Sequence, residues 1–447
     1  MRRVLRRFVR GLGWLLAGLL ALAVCARVYI QLNLDDEPLR EDAAFLALSD
    51  PPPPEVVVPL TRVADALAWN DEEHWAELGE HIRSEAWGEA FVERALRENA
   101  AALEAWDAAL EHEELSLPGF DRATWQRAFE EAQSRESPES LAPTEDFESI
   151  LRVQIAAKLV RLDAERLAQR GEAGAFERAL ELLCVSNRIA RPANVVELMT
   201  ANAISFHGLQ AVAAVTTRTE LAPGEATSWV QRIDALRPSP VAWRAGWSAE
   251  YRRASWMMRA SVVWADRQPK RDRLRRLALP DEYLFQLNAQ LNSEREFYSR
   301  LAAASTDPCS PQAARRERPR TLRELARYVG PNVGGRILSE IAHPTMVALA
   351  PRRCVLHSRF SMAQALVALR AFHTEHGQLP DSLDALVPTY LDSVPRDWLG
   401  GGPIRYDRDR KRLWSIGRDF RDAGRVPEDP NATRWGDDSE PVLPIDF

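Results

Sequence analysis

The 447-residue chain is 46% hydrophobic and 28% charged, the balance of a folded globular protein and not of a disordered one. Its 58 basic and 65 acidic side chains leave a net charge of −7, and this acidic excess argues against a nucleic-acid partner, whose phosphates need a basic surface. The length allows two or three domains, and lysine occurs only at Lys158, Lys270 and Lys411, so arginine supplies nearly all the positive charge.

The chain opens with Arg2, Arg3, Arg6, Arg7 and Arg10, followed by a charge-free run from Gly11 to Ala26. Val28, Tyr29, Ile30 and Leu32 extend the apolar character past Arg27, which can snorkel to the interface. A basic tip before an apolar run stays on the cytoplasmic side, so the following domain crosses the membrane. Residues 1–34 are therefore read as a single N-terminal transmembrane anchor, with the bulk of the chain in the periplasm of a bacterium. Its length also fits a signal sequence, and Val24-Cys25-Ala26 provides a small-residue cleavage site. Cleavage there would release a secreted soluble binding protein.

Residues 35–59 form a proline-rich linker, in which Pro51 to Pro54 predict a stiff polyproline II spacer holding the next domain off the bilayer. From 60 to 350 the pattern is helical. Apolar residues recur at three and four over Phe91–Leu110 and Ile150–Leu167, and a turn at Arg170-Gly171-Glu172 leads into Ala175–Ile189. Two helices joined by a glycine turn make a hairpin, with a third expected over Val195–Val215. The phrase Ala175-Phe176-Glu177-Arg178-Ala179-Leu180 resembles one tetratricopeptide unit. No 34-residue recurrence accompanies it, so the expected fold is mainly α: an irregular array of helical hairpins. Further helices are expected over Trp243–Trp264 and Asp281–Leu301, with an exposed loop from Ala302 to Arg320.

Residues 351–447 change character. Ser358–His376 reads as a helix stopped by Gly377, followed by one or two helical turns near Asp381–Pro388. A β-hairpin then pairs Ile404-Arg405-Tyr406 with Leu413-Trp414-Ser415-Ile416 across a polar turn, and a loop-like tail carries Asp419, Asp422, Asp437 and Asp438. The phrases Val394-Pro395-Arg396-Asp397, Gly402-Pro403-Ile404-Arg405-Tyr406 and Trp414-Ser415-Ile416-Gly417-Arg418-Asp419 resemble the C-terminal part of the major pseudopilin of type II secretion systems. The chain is also similar to a group of membrane-anchored helical proteins of bacteria that end in this module, with Glu375 to Pro380 and Ser382-Leu383 before the hairpin. The resemblance covers Arg353–Asp438, about a fifth of the chain, and implies a small α+β module. It does not extend to the N-terminal helix, because some three hundred residues intervene.

In the major pseudopilins the loop after the second strand binds calcium. The resemblance implies a calcium site at Asp419 and Asp422, beside the Ser415–Gly417 backbone, calcium being a hard cation that takes six or more oxygens. The alternative is that both aspartates cap turns and pair with Arg418, Arg421 or Arg425. Ala423 stands where the related proteins often carry a further acid.

No other segment carries a catalytic signature. His373-Thr374-Glu375-His376 is a metal-like cluster, but its histidines stand at i and i+3 where zincins place them at i and i+4. It defines the competing reading, a metal-dependent envelope hydrolase. His74, His81, His112 and Glu113 lack a third ligand at suitable spacing. Gly246-Trp247-Ser248-Ala249-Glu250 lacks the closing glycine of a nucleophile elbow. Trp243, Trp247, Trp256 and Trp264 fall at helical spacings and are expected in the core or lining a groove. Of the four cysteines, Cys25 lies in the leader, and among Cys184, Cys309 and Cys354 one disulfide can form in an oxidising compartment, Cys309 with Cys354 being the favoured pair. The function expected from all this is non-enzymatic: an interaction or assembly protein of the envelope, associated with protein partners there and with a secretion machine or envelope organisation.

Overall fold

A computed structural model describes residues 35–40, 42–47, 57–84, 87–118, 147–190, 194–267, 285–305, 331–417 and 441–447. The expected anchor, the four prolines, Asp419 and Asp422 lie outside the described residues. What is described is mainly helical, as the periodicity predicts.

The first elements are short: α1 (Ala43–Ala47), β1 (Val57–Pro59), α2 (Thr61–Asp65), α3 (Glu72–Ser84), α4 (Glu89–Glu98), α5 (Ala100–Ala109) and β2 (Glu114–Ser116). β1 and β2 pair in parallel, with Val57 opposite Glu114 and Pro59 opposite Ser116. The single helix expected over Phe91–Leu110 is two helices, broken at Asn99. That side chain is fully buried; its Oδ1 accepts from the backbone N–H groups of Ala68 (3.0 Å) and Trp69 (3.1 Å), and its Nδ2 donates to the Ala95 carbonyl (2.9 Å). A tertiary anchor at one polar residue thus overrides a helical pattern that continues on both sides.

The centre of the array is α6 (Phe147–Gln169), α7 (Ala175–Ala190) and α8 (Val195–Arg218). α6 and α7 form the expected hairpin, and α8 packs along both. The α7–α8 approach is close because Gly208 faces Leu183: a Cβ there would lie 2.7 Å from Leu183 Cδ2 and 3.0 Å from Leu182 Cβ. α8 begins with a capping box, in which Asn194 Oδ1 accepts from the N–H groups of Val196 and Glu197 while Glu197 Oε2 accepts from that of Asn194. Glu197 Oε1 also accepts from Leu117 N–H at 3.2 Å, tying the helix start to the end of β2. Among the described residues α8 is the one helix long and apolar enough to cross a membrane. Yet 61% of its apolar window is buried within the fold, as befits a core helix.

α9 (Pro223–Ala235), α10 (Pro240–Arg267) and α11 (Leu287–Ala304) lead to α12 (Val333–His376). At 44 residues α12 is about 66 Å long at 1.5 Å per residue. It begins 25 residues before the expected start at Ser358 and runs through Pro344 and Pro351. Each proline removes one intrahelical hydrogen bond, and packing against α9, α8 and α11 holds the helix through them. The expected stop is present: Gly377 adopts φ +68° and its N–H bonds the His373 carbonyl at 2.8 Å, the left-handed cap that glycine tolerates best.

After a 3-10 turn at Leu383–Leu386, β3 (Arg405–Asp407) and β4 (Arg412–Trp414) form the expected hairpin, with Arg405 opposite Trp414. A third strand, β5 (Val442–Pro444), pairs antiparallel with β4, so the tail's last residues are not loop-like. The expected domain boundary at 350/351 falls inside α12, and one continuous hydrophobic core contains residues from Phe45 to Ile445.

The linker reading needs correction at both flanks. Residues 35–40 lie along α11: Asp36 accepts from the N–H groups of Asn288 (2.6 Å) and Ala289 (2.9 Å), and Arg40 N–H donates to Asn292 Oδ1 at 2.8 Å. Phe45 is buried against Tyr251, and Val57–Pro59 are strand. Residues 35–40 are therefore docked on α11 and 57–59 are paired in a strand, where composition alone suggests an extended spacer.

Candidate functional site

Three places can be built from the residues upward. The first is a cleft of about 470 Å³ between α3, α6, α8 and the C-terminal strand β5. On one side stand Trp87 and His81; the imidazole stacks on Phe91 at 4.4 Å and meets Trp87 edge-on at 6.5 Å. Leu443 and Pro444 of β5 also line it. The base carries Arg161 and Glu165, one helical turn apart on α6 and bonded Nε to Oε1 at 2.6 Å. Arg161 Nη1 also donates to Gln210 Oε1 on α8. Burial pushes the His81 imidazole below its usual range; Glu165 opposes this and Arg161 adds to it. His81 is therefore neutral at pH 7. Arg161 and Glu165 neutralise one another, and Thr217 on the rim donates its hydroxyl to the Ala214 carbonyl of its own helix. The lining combines the aromatic His81 and Trp87 with the Arg161–Glu165 pair, Arg218 and Asp446, a set suited to holding a ligand or peptide side chain by stacking and polar contact.

The second place is the centre of the C-terminal module, where Asp397 is fully buried. Oδ1 accepts from Ser358 Oγ (2.9 Å), Ser415 Oγ (2.6 Å) and Leu399 N–H (3.0 Å). Oδ2 accepts from Arg405 Nη1 (2.8 Å) and Ile416 N–H (3.1 Å). One carboxylate thus joins α12, the loop before β3, β3 itself and the end of β4. Five donors fill its lone pairs, so it is structural and leaves no site for a ligand. The quoted phrase containing Asp397 is explained by this knot.

The third is His373, Glu375 and His376, which do not converge. His373 leans on Phe447 with ring centroids 5.5 Å apart, and Glu375 accepts from the Tyr390 hydroxyl. His376 stacks on Phe372 at 4.1 Å, its Nδ1 lying 3.1 Å from the Phe372 carbonyl. Among the described residues no group of three or more His, Cys, Asp or Glu side chains could hold a metal ion.

The remaining candidates resolve into packing. Trp243 and Trp247 are buried, Trp256 is half-buried, and the Trp264 side chain lies outside the described residues. Trp247 Nε1 donates to Ser305 Oγ (3.0 Å) and Ser248 Oγ to the Phe45 carbonyl (2.7 Å), so the elbow-like phrase is core. His74 pairs with Asp71 at 2.8 Å on the surface. Cys354 is disulfide-bonded, its partner lying outside the described residues, and Cys184 is in no disulfide.

Sequence reasoning did not single out the cleft. Arg161 and Glu165 stand at i and i+4, the spacing of an ordinary surface pair, and only the docking of α8 and β5 makes them the base of a concavity. It also missed the buried carboxylates. Burial raises Glu197 to about 8, against its backbone hydrogen bonds, and Glu250 to about 7. No family model, no curated protein and no solved structure matches the chain.

Proposed function

We propose that the protein is a single-pass membrane protein whose bulk faces the periplasm, where it acts as a non-enzymatic interaction or assembly protein of the envelope. The observation that carries this reading is the leader: five arginines in the first ten residues, then the charge-free run Gly11–Ala26. The disulfide at Cys354 adds support, because such bonds persist in oxidising compartments. The cleft between the helical array and β5 is the surface on which a partner is placed, with Trp87 as the stacking residue. A type II secretion or envelope-organising machine is the setting suggested by the pseudopilin-like phrases, and Asp419 with Asp422 is the calcium site they imply.

Alkaline phosphatase fused after Phe447 is expected to be active, and the mature chain is expected to retain Met1 or its immediate neighbours. Phosphatase activity that appears only in lysed cells overturns the topology. An N-terminus at residue 27 replaces the anchor by a cleaved signal. A photo-crosslinker in place of Trp87 is expected to capture an envelope protein in intact cells, and capture must fall when Pro444→Phe narrows the cleft. Calcium titration of the purified chain, compared with Asp419→Asn, tests the metal separately.

A further inference from the structure

Six large apolar side chains stand exposed among the described residues: Leu151, Val241, Met257, Ile337, Leu338 and Ile341. Three of them share the first turns of α12, where Ile341 is 69% exposed. Residues 333–349 hold only two formal charges, Arg336 and Glu340. A face this apolar on a surface helix calls for a cover.

The packing fixes which end of the molecule this face occupies. α11 and α12 run in parallel: Gln290 bonds Ser339 at 2.7 Å, Glu294 meets His343 at 3.0 Å, and Arg353 donates to the Ser305 carbonyl. α10 runs the opposite way, with Trp247 bonded to Ser305 and Tyr251 6.5 Å from Tyr298. The starts of α11 and α12 and the later turns of α10, with Met257, therefore lie at one end. The chain enters the fold at that same end. The Asp35 carbonyl accepts from Gln286 Nε2 at 3.2 Å, and Gln286 N–H donates to Oδ1 of Asn332, the residue that opens α12. From there the strap descends along α11, through Arg40 at Asn292 to Phe45 at Ser248. Ile341 lies nine residues beyond Asn332, so it stands about 14 Å along the helix from that point.

We propose that Ile337, Leu338 and Ile341 rest in the headgroup region of the bilayer, so that the helical domain lies against the membrane through the start of α12. The argument rests on the anchor reading given above. With the charge-free run ending at Ala26, only eight residues separate it from the docked Asp35, so this end of the fold is held close to the membrane surface. An apolar helix face at that height exchanges water for the acyl boundary, as interfacial helices do.

The test uses the full chain in vesicles of phosphatidylethanolamine and phosphatidylglycerol, with p-benzoylphenylalanine replacing Ile341, or Leu338 in a second preparation. Val241 is the control, 62% exposed and at the opposite end of α10. Lipid adducts at 341 and 338 are expected to exceed those at 241 by at least about fivefold, the contrast between an interfacial and a solvated side chain. Equal yields in a chain that resists carbonate extraction overturn the proposal and leave the anchor standing. A covalent dimer at 341 does the same, by assigning the face to a second copy. Release of the chain by carbonate removes the anchor reading, and this proposal with it.

Discussion

The α6–α8 centre of the array and the C-terminal module keep their shapes by opposite means. The helices are held by apolar side chains and close backbone approach: Leu159, Leu182, Ile204 and Leu209 have no exposed surface, and Gly208 lets α8 settle on Leu183. The module joins the main core through Ile404, Leu413, Leu443 and Ile445, but its three strands of three residues each are tied to one another and to α12 by the Asp397 carboxylate. A hydrophobic interface spreads its stabilisation over many small contacts and tolerates loss at any one of them. A buried polar knot concentrates it, and losing the central group strands every donor at once.

Replacing Asp397 by alanine should therefore have the largest effect. Removing one member of a buried ion pair costs about 3–5 kcal/mol, and four further donors lose their acceptor. Hydrogen exchange should quicken in β3, β4 and β5 while α6–α8 stay protected. Equal loss of protection in α6–α8 would show the two regions to be one cooperative unit and dissolve the contrast.

The array has its own concealed polar cost in Glu197 and Glu250, raised by burial to about 8 and about 7. A carboxyl whose folded pKa lies above its unfolded value binds its proton more tightly in the native state. Stability is then full below the unfolded value near 4.5 and falls as pH rises toward 8. Glu197→Gln keeps an acceptor for Asn194 N–H but cannot ionise, so it should flatten this slope and raise the melting temperature at pH 8 more than at pH 5. An unchanged slope would mean that the carboxylate is stabilised by groups beyond Asn194 and Leu117.

Overpacking the helix contact comes next. Gly208→Leu must displace Leu183 and Leu182, at about 1–3 kcal/mol, and should loosen α7 and α8 while leaving the module's exchange untouched. The smallest effect sharpens the comparison from the other side. Arg408 and Asp381 also form an Arg–Asp pair in the module, but Asp381 is 90% exposed. Asp381→Ala should cost under about 1 kcal/mol, measured by the shift in urea midpoint. A loss as large as that from Asp397→Ala would refute burial as the cause of the difference.

Legibility followed the same divide. The helices over 147–169, 175–190 and 195–218 were readable because a 3.6-residue stripe needs only local sequence, and so were the β3–β4 hairpin and the Gly377 stop. Asn99 was unreadable as a break, because what ends α4 there is its bond to Ala68 and Trp69, some thirty residues away. β5 was hidden by the loop-like composition before it, and the parallel pairing of 57–59 with 114–116 joins stretches far apart in sequence. The cleft was equally hidden, since its walls come from four separate elements. The docking of 35–40 and 43–47 was hidden because composition reports what a segment does alone, whereas Asp36 and Phe45 find partners on α11 and α10.

By itself the sequence determined where most helices form, that the net charge is acidic, and that an arginine-tipped apolar leader precedes the domain. These properties reside in neighbouring residues and need no knowledge of the fold. Only the tertiary structure decided that Asp397 is a buried knot, that residues 35–40 dock on α11, and that Arg161, Trp87 and Leu443 share one cleft. Each of these depends on groups far apart along the chain meeting out of water, where an unmet polar atom or an uncovered apolar face carries a cost that local pattern cannot express.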